Sequence, residues 1–278
     1  MFSLNLKGNL LASDDVMIMG ILNITPDSFF TSNWQSSKAE IITMVEVMLK
    51  NGMDMIDIGG QSTRPGSERI SEKEELSRIL PVIQIIHKEF PQLPVSVDTY
   101  QSRVAEEAVN AGASIINDIS GGDMDNAMLK TVAALGVPYV CMHMQGRPET
   151  MQENPVYNDV ASEVFRALAY KTEKCLAAGI KDVILDPGFG FGKNIDHNFR
   201  LLNRLSDFKM LGKPVMAGLS RKSLIFKTLG ITAAESRNGT TVMNTLAVLN
   251  GANILRVHDV PEANEVRKLI RAYKKAAS

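Results

Sequence analysis

Cysteine is almost missing from this chain. Two residues in 278, Cys141 and Cys175, have no C-x-x-C spacing. They exclude a disulfide framework and fit a reducing, cytoplasmic setting. Charge of one sign is missing too. Lys and Arg number 30 against 31 Asp and Glu, a net charge of −1, so there is no global basic field for a nucleic acid partner. No apolar run approaches the ~18 residues of a membrane helix, and the opening MFSLNLKGNLLASDD lacks the charged region and apolar core of a secretory leader. There is no linker or low-complexity segment, and at 45% hydrophobic and 22% charged the composition is that of an ordered protein. The expectation is one soluble intracellular domain over residues 1–278, with a substantial core and with no nucleic acid or membrane partner.

A glycine-rich nucleotide loop is also lacking. The stretch ILDPGFGFGKN at 184–194 offers three glycines and a lysine. Only three residues separate Gly188 from Gly192, however, and Asn194 stands where a phosphate-binding loop needs Ser or Thr.

What is present is alternation of apolar strands with amphipathic helical stretches. Strand candidates lie at 16–25, 55–60, 95–99, 115–120, 139–144, 183–188, 214–220 and 254–260. Each is largely apolar on both faces, as in a buried parallel sheet. Ser71 and Glu74 form a capping-box pattern before a helix that Pro81 should kink. Asp123 or Asp125 is a candidate cap further on, Gly136 and Gly179 are candidate helix ends, and Pro261 opens the last helix. Eight such units predict an α/β fold of the (β/α)8, or TIM, barrel type. The rival, a doubly wound open sheet, predicts G-x-G-x-x-G after the first strand; NITPDSF stands there instead.

In a barrel the active site is built at the C-terminal strand ends. Those ends carry Asn23, the run Gln61 to Arg64, Asp98, Asn117, His143, Asp186, the run Ser220 to Lys222, and Arg256 with His258. Taken singly, each has a bland reading. Asp98 or Asp186 would cap a helix, Asn117 a turn, His143 would sit satisfied in the core or at the rim, Lys222 would be solvated, and Arg64 would be loop. Taken together, Asp98, Asn117 and Asp186 at interior strand positions are too costly to bury without partners, and a polar pocket is the better account. Carboxylates paired with an amide and a lysine suit a flat 2-amino-4-oxo heterocycle, guanine-like or pterin-like, because a carboxylate accepts two parallel N–H bonds from an amino-imino edge. Arg64, Arg256 and His258, with Asn23 and Lys222 in reach, form a cationic set suited to pyrophosphate. The competing reading of that set is a salt-bridged rim, with Asp259 following His258. No zinc-ligand cluster and no Ser-His-Asp order is found.

The motifs GILNITPDSF, DIGGQSTRPGS, VSVDT, IINDISGG, MHMQGRPETMQ, ILDPGFGFGKN, GLSRKS and LRVHDV, in this order over residues 18–260, resemble those of the dihydropteroate synthase family. The resemblance implies a usually homodimeric barrel that condenses 6-hydroxymethyl-7,8-dihydropterin pyrophosphate with 4-aminobenzoate, requires Mg2+, and is a target of sulfonamides. Carried over by residue, it implies pterin contacts from Asp98, Asn117, Asp186, Lys222 and Arg256. It implies pyrophosphate contacts from Asn23, Arg64, Arg256 and His258, with Asn23 also near the metal. The 4-aminobenzoate site would comprise Thr63, Arg64, Pro65, Phe191 and Ser223. Asp98, Lys222 and Asp27 would be the catalytic groups, with Asp27 on a first loop that closes the site. Two departures stand out: SFFTSNWQSS where many relatives continue SDGG, and Gln61 where Glu is common. Competing readings are a pterin-binding methyltransferase, which does not need STRPG, SRKS and RVHD, and a binding module without turnover.

Overall fold

The computed structural model describes residues 1–24, 34–61, 69–147 and 150–276, with the backbone alone at 34–36. Two strands not anticipated from the sequence come first. β1 (Phe2–Leu6) and β2 (Asn9–Ser13) pair antiparallel across Lys7-Gly8. Both turn residues have positive φ, 52° and 98°, the conformation a tight two-residue hairpin demands. Leu4 and Leu6 are buried while Ser3 and Asn5 are exposed, the alternation of a half-buried strand.

The eight expected strands follow: β3 (Met17–Asn23), β4 (Met55–Gly59), β5 (Val95–Asp98), β6 (Ile115–Asp118), β7 (Tyr139–Met142), β8 (Val183–Asp186), β9 (Met216–Ala217) and β10 (Ile254–Val257). All pair in parallel in the order β8-β7-β6-β5-β4-β3-β10-β9. A parallel bridge between Leu185 and Val215 joins the two ends, so the sheet is a nearly closed (β/α)8 barrel. The strands are shorter than the apolar runs that announce them, because the chain turns away at each mouth-side end.

Alternation divides each strand between two cores. Met17, Met19, Met55, Ile115, Val140, Ile184, Met216 and Ile254 cluster with Leu4 and Leu6 of the hairpin. They fill the barrel interior away from the mouth. Their neighbours Ile18, Ile56, Ile58, Val97, Ile116, Cys141, Leu185 and Leu255 pack outward against the helices.

The helices begin and end largely where local chemistry directs. Ser71 Oγ accepts Glu74 N–H at 3.2 Å to open Glu72–Glu89, which continues as one helix through Pro81. Gly136, at φ 65°, closes Met128–Leu135. That helix has no side-chain cap. Asp125 spans two elements instead: Oδ1 accepts Ala127 N–H at 2.9 Å, while Oδ2 accepts Ser102 N–H at 2.7 Å at the start of the helix Ser102–Asn110. Among the described residues no helix is long and apolar enough to cross a membrane.

Candidate active site

At the mouth, the alternation that sends Met and Ile inward lower down sends polar groups inward. Asp57, Asp98, Asn117, Asp186 and Arg256 share the inward parity of Met55, Ile115, Ile184 and Ile254. Asp118, next to Asn117, faces the other way. Its carboxylate takes Tyr139 Oη–H at 2.7 Å and the N–H groups of Ser120 and Gly122 at 2.7 and 2.9 Å, which folds the loop after β6. β7 separates the strands that carry Asn117 and Asp186, and contributes the apolar Met142 between them.

The centre of the cluster is Arg256. Its Nε donates to Asp57 Oδ2 at 2.6 Å and its Nη2 to Asp98 Oδ2 at 2.8 Å. Burial alone would pull the guanidinium pKa down, but these carboxylates outweigh it and hold it above its ordinary range. Asn117 Nδ2 donates to the same Asp57 Oδ2 at 3.0 Å. Asp57 Oδ1 and Asp98 Oδ1 are buried with no hydrogen-bond partner among the described residues. The unfilled Asp98 acceptor, at the strand end in a desolvated place, suits a donor-bearing ligand edge. Burial pushes the Asp98 pKa up to about 7, against the pull of Arg256, and burial likewise raises Asp186 against the pull of Lys222.

Asp186 ends β8 and starts a loop of close backbone approaches. Its Oδ1 accepts Gly188 N–H at 2.8 Å. Gly188 has φ 69°, and a Cβ there would meet His143 O at 1.9 Å, so no other residue fits. Lys193 is 2% exposed. Its ammonium donates to Gly188 O at 2.9 Å and Phe191 O at 3.0 Å, and lies 3.0 Å from His143 Nδ1. Burial pushes His143 down to about 2 and Lys193 down to about 7. His143 is therefore a neutral acceptor, the structural role weighed for it from sequence, and Lys193 is consumed inside its own loop. That loop carries Phe191 to the mouth. Lys222 Nζ donates to Phe189 O and lies 4.8 Å from the Phe191 ring centroid. Burial, with Arg256 nearby, lowers the Lys222 pKa to about 8 despite Asp186.

The ends of β9 and β10 are knitted together. Ser220 Oγ accepts His258 N–H at 3.2 Å and lies 3.0 Å from His258 Nδ1. Arg221 reaches Asp259 through two hydrogen bonds, so a salt-bridged rim of the kind weighed from sequence is present there. Ser223 begins the helix Ser223–Leu229 directly after Lys222. Asn23, exposed at the end of β3, lies with its Oδ1 3.4 Å from where a Gly59 Cβ would be, and Asp98 Oδ2 lies 3.9 Å from the same point. Glycine at 59 thus leaves the space between them open. Gln61 Nε2 donates to Tyr100 Oη at 2.9 Å, a neutral contact where an acid would have carried charge. Asp27, Thr63, Arg64 and Pro65 lie outside the described residues.

Sequence reasoning missed Asp57. The signal was a charged residue at the centre of MIDIG, at the same parity as Met55. Among the described residues no group of three His, Cys, Asp or Glu could hold a metal. Mg2+ does not need one, since it is usually held by one or two protein oxygens together with substrate phosphates and waters. The Asn23 amide oxygen fits that requirement.

The family model for pterin binding enzymes matches residues 19–258. Dihydropteroate synthase of Haemophilus influenzae is 45% identical over 257 residues, covering 92% of this chain and 93% of that protein. The solved Yersinia pestis dihydropteroate synthase, in complex with a sulfonamide drug, superposes with a TM-score of 0.91 at 38% identity, covering 99% of this chain and 100% of the other. That of Xanthomonas albilineans, solved with 4-aminobenzoic acid, does so with a TM-score of 0.90 at 38% identity over 98% of each chain. The family match over most of the chain and these relatives show that the chain is a pterin binding enzyme, and within that group it belongs to the dihydropteroate synthase family.

Proposed function

We infer that this chain condenses 6-hydroxymethyl-7,8-dihydropterin pyrophosphate with 4-aminobenzoate, giving 7,8-dihydropteroate and pyrophosphate. The observation that carries the reading is the Asp98, Asn117, Asp186 and Lys222 set around Arg256, with the buried, unfilled Oδ1 of Asp98. The N–H groups of a dihydropterin edge fill such acceptors, and Lys222 offers donors to the ring's carbonyl and imine side.

The C–O bond to pyrophosphate breaks first, and the leaving group keeps the electron pair. The positive charge on the methylene spreads into the electron-rich dihydropterin, where the Asp98 carboxylate stabilises it. Arg256, His258 and Arg64 receive the growing negative charge of pyrophosphate. Asn23 would hold Mg2+ there, and the ion would supply further neutralisation of that charge. The 4-aminobenzoate amine, held by Thr63, Arg64, Pro65, Phe191 and Ser223, attacks the methylene to form the C–N bond and releases its proton. No protein nucleophile takes part, consistent with the lack of an activated Ser or Cys pair.

Two chains form the working unit. Val242, Leu246 and Leu249 on the helix Arg237–Leu249 are 52%, 41% and 47% exposed along one stripe, an apolar surface that a second copy would cover. Two buried free thiols, Cys141 and Cys175, suit the cytoplasm. Purified protein given both substrates and Mg2+ should form dihydropteroate and release pyrophosphate, lose activity with a chelator, and be inhibited by sulfonamides in competition with 4-aminobenzoate. Absence of dihydropteroate refutes the reading. Elution as a monomer in light-scattering chromatography refutes the dimer.

A further inference from the structure

Asp57 does not stand at a strand end. It lies between Ile56 and Ile58 inside β4 and is fully buried. A carboxylate there is costly unless its charge is met. Its Oδ2 meets two donors, Arg256 Nε at 2.6 Å and Asn117 Nδ2 at 3.0 Å. Those donors come from opposite directions around the barrel, β10 beyond β3 and β6 beyond β5. One oxygen therefore holds two of the side chains that frame the cavity.

The consequence is orientation. An ionised carboxylate only accepts. Asn117 must turn its amide nitrogen to Asp57, which leaves its carbonyl oxygen and one N–H for a ligand. Arg256 is gripped at Nε by Asp57 and at Nη2 by Asp98, so its guanidinium plane is set across the two carboxylates. Without Asp57, the Asn117 amide is free to flip and Arg256 swings on Asp98 alone.

We propose that Asp57 is a positioning residue that fixes which atoms Asn117 and Arg256 present to the dihydropterin pyrophosphate. The inference rests on the pterin reading of this pocket.

The test is a double-mutant cycle on the full-length protein. Calorimetry without 4-aminobenzoate measures affinity for dihydropterin pyrophosphate in the wild type, Asp57→Asn, Asn117→Ala and the double variant, with thermal melts to check folding. Each single variant should weaken binding about tenfold or more. The double variant should lose clearly less than the product of the two single losses, because the effect of Asp57 passes partly through Asn117. The KM for 4-aminobenzoate should stay within about threefold, which a general loosening of the fold would not allow. If Asp57→Asn melts below the assay temperature, Asp57→Ser takes its place in the cycle. Unchanged affinity in the Asp57 variant, or losses that multiply in full, overturns the inference while leaving the pterin reading intact. A wild type that does not bind the ligand sinks the pterin reading, and this inference with it.

Discussion

Arg221 grips Asp259 with two hydrogen bonds, Nε to Oδ2 at 3.0 Å and Nη2 to Oδ1 at 2.6 Å. Arg221 is also one of three non-glycine residues with positive φ, at 55°, among the described residues. Such a backbone is strained for a residue with a Cβ and persists only where its surroundings hold it. The side chain that anchors the turn is the one just before Lys222, and its partner is the residue just after His258. Arg221 outweighs burial and holds the Asp259 carboxyl below its ordinary range.

Asp259→Ala should therefore act on catalysis more than on folding. Arg221 is partly solvated, which discounts the ion pair, and a stability loss of about 1 kcal/mol is expected in urea titration. The released turn moves Lys222 and Ser223 together, so kcat/KM should fall about tenfold for both substrates. Wild-type kinetics in a destabilised protein would refute the coupling.

The free enzyme should show a narrow bell in kcat/KM for the pterin substrate. Asp98 must be ionised, so activity rises as pH climbs through about 7. Lys222 must keep its proton, so activity falls above about 8. Asp98→Asn should lower the plateau and remove the acid limb, while Lys222→Ala removes the alkaline one. An acid limb that survives in Asp98→Asn would assign it elsewhere.

Lys193→Met keeps the stem of the side chain but abandons the carbonyls of Gly188 and Phe191. These are buried acceptors left without a donor, a loss of about 1–3 kcal/mol in stability. The displaced Phe191 should raise the KM for 4-aminobenzoate more than that for the pterin, and Phe191→Ala should do the same without the stability loss. Equal changes in both KM values would detach Phe191 from the second substrate.

At the far end of the barrel, Leu4→Ala should cost about 2–4 kcal/mol in denaturant unfolding, the range for emptying a buried leucine site. The native-state kcat at low temperature should stay unchanged, since Leu4 packs among Met, Val and Ile side chains at the closed end. A kcat loss without a stability loss would contradict that division.

Much of the site was legible because Asp98, Asn117, Asp186 and Arg256 sit at or near strand ends, where polarity contrasts with an apolar run. Asp57 escaped because it interrupts a run only five residues long, too short for one charge to stand out against period-two noise. The hairpin was passed over for another reason. Leu4 and Leu6 alternate correctly, but Lys-Gly is a weaker turn signal than Asn-Gly. The two ends of Asp125 serve different helices, a tertiary contact that no local pattern encodes.

The hairpin has a kinetic meaning as well as a structural one. Among the described residues, Leu4 and Leu6 fill the lower end of the barrel interior, which leaves the mouth as the way in. On the proposed reading the pterin seats at the level of Asp98 and Asn117, with Phe191 at the rim. Whatever occupies the rim then hinders the exit of whatever lies beneath. The pterin should then be first in and the joined product last out, an order that initial-rate product-inhibition patterns read directly.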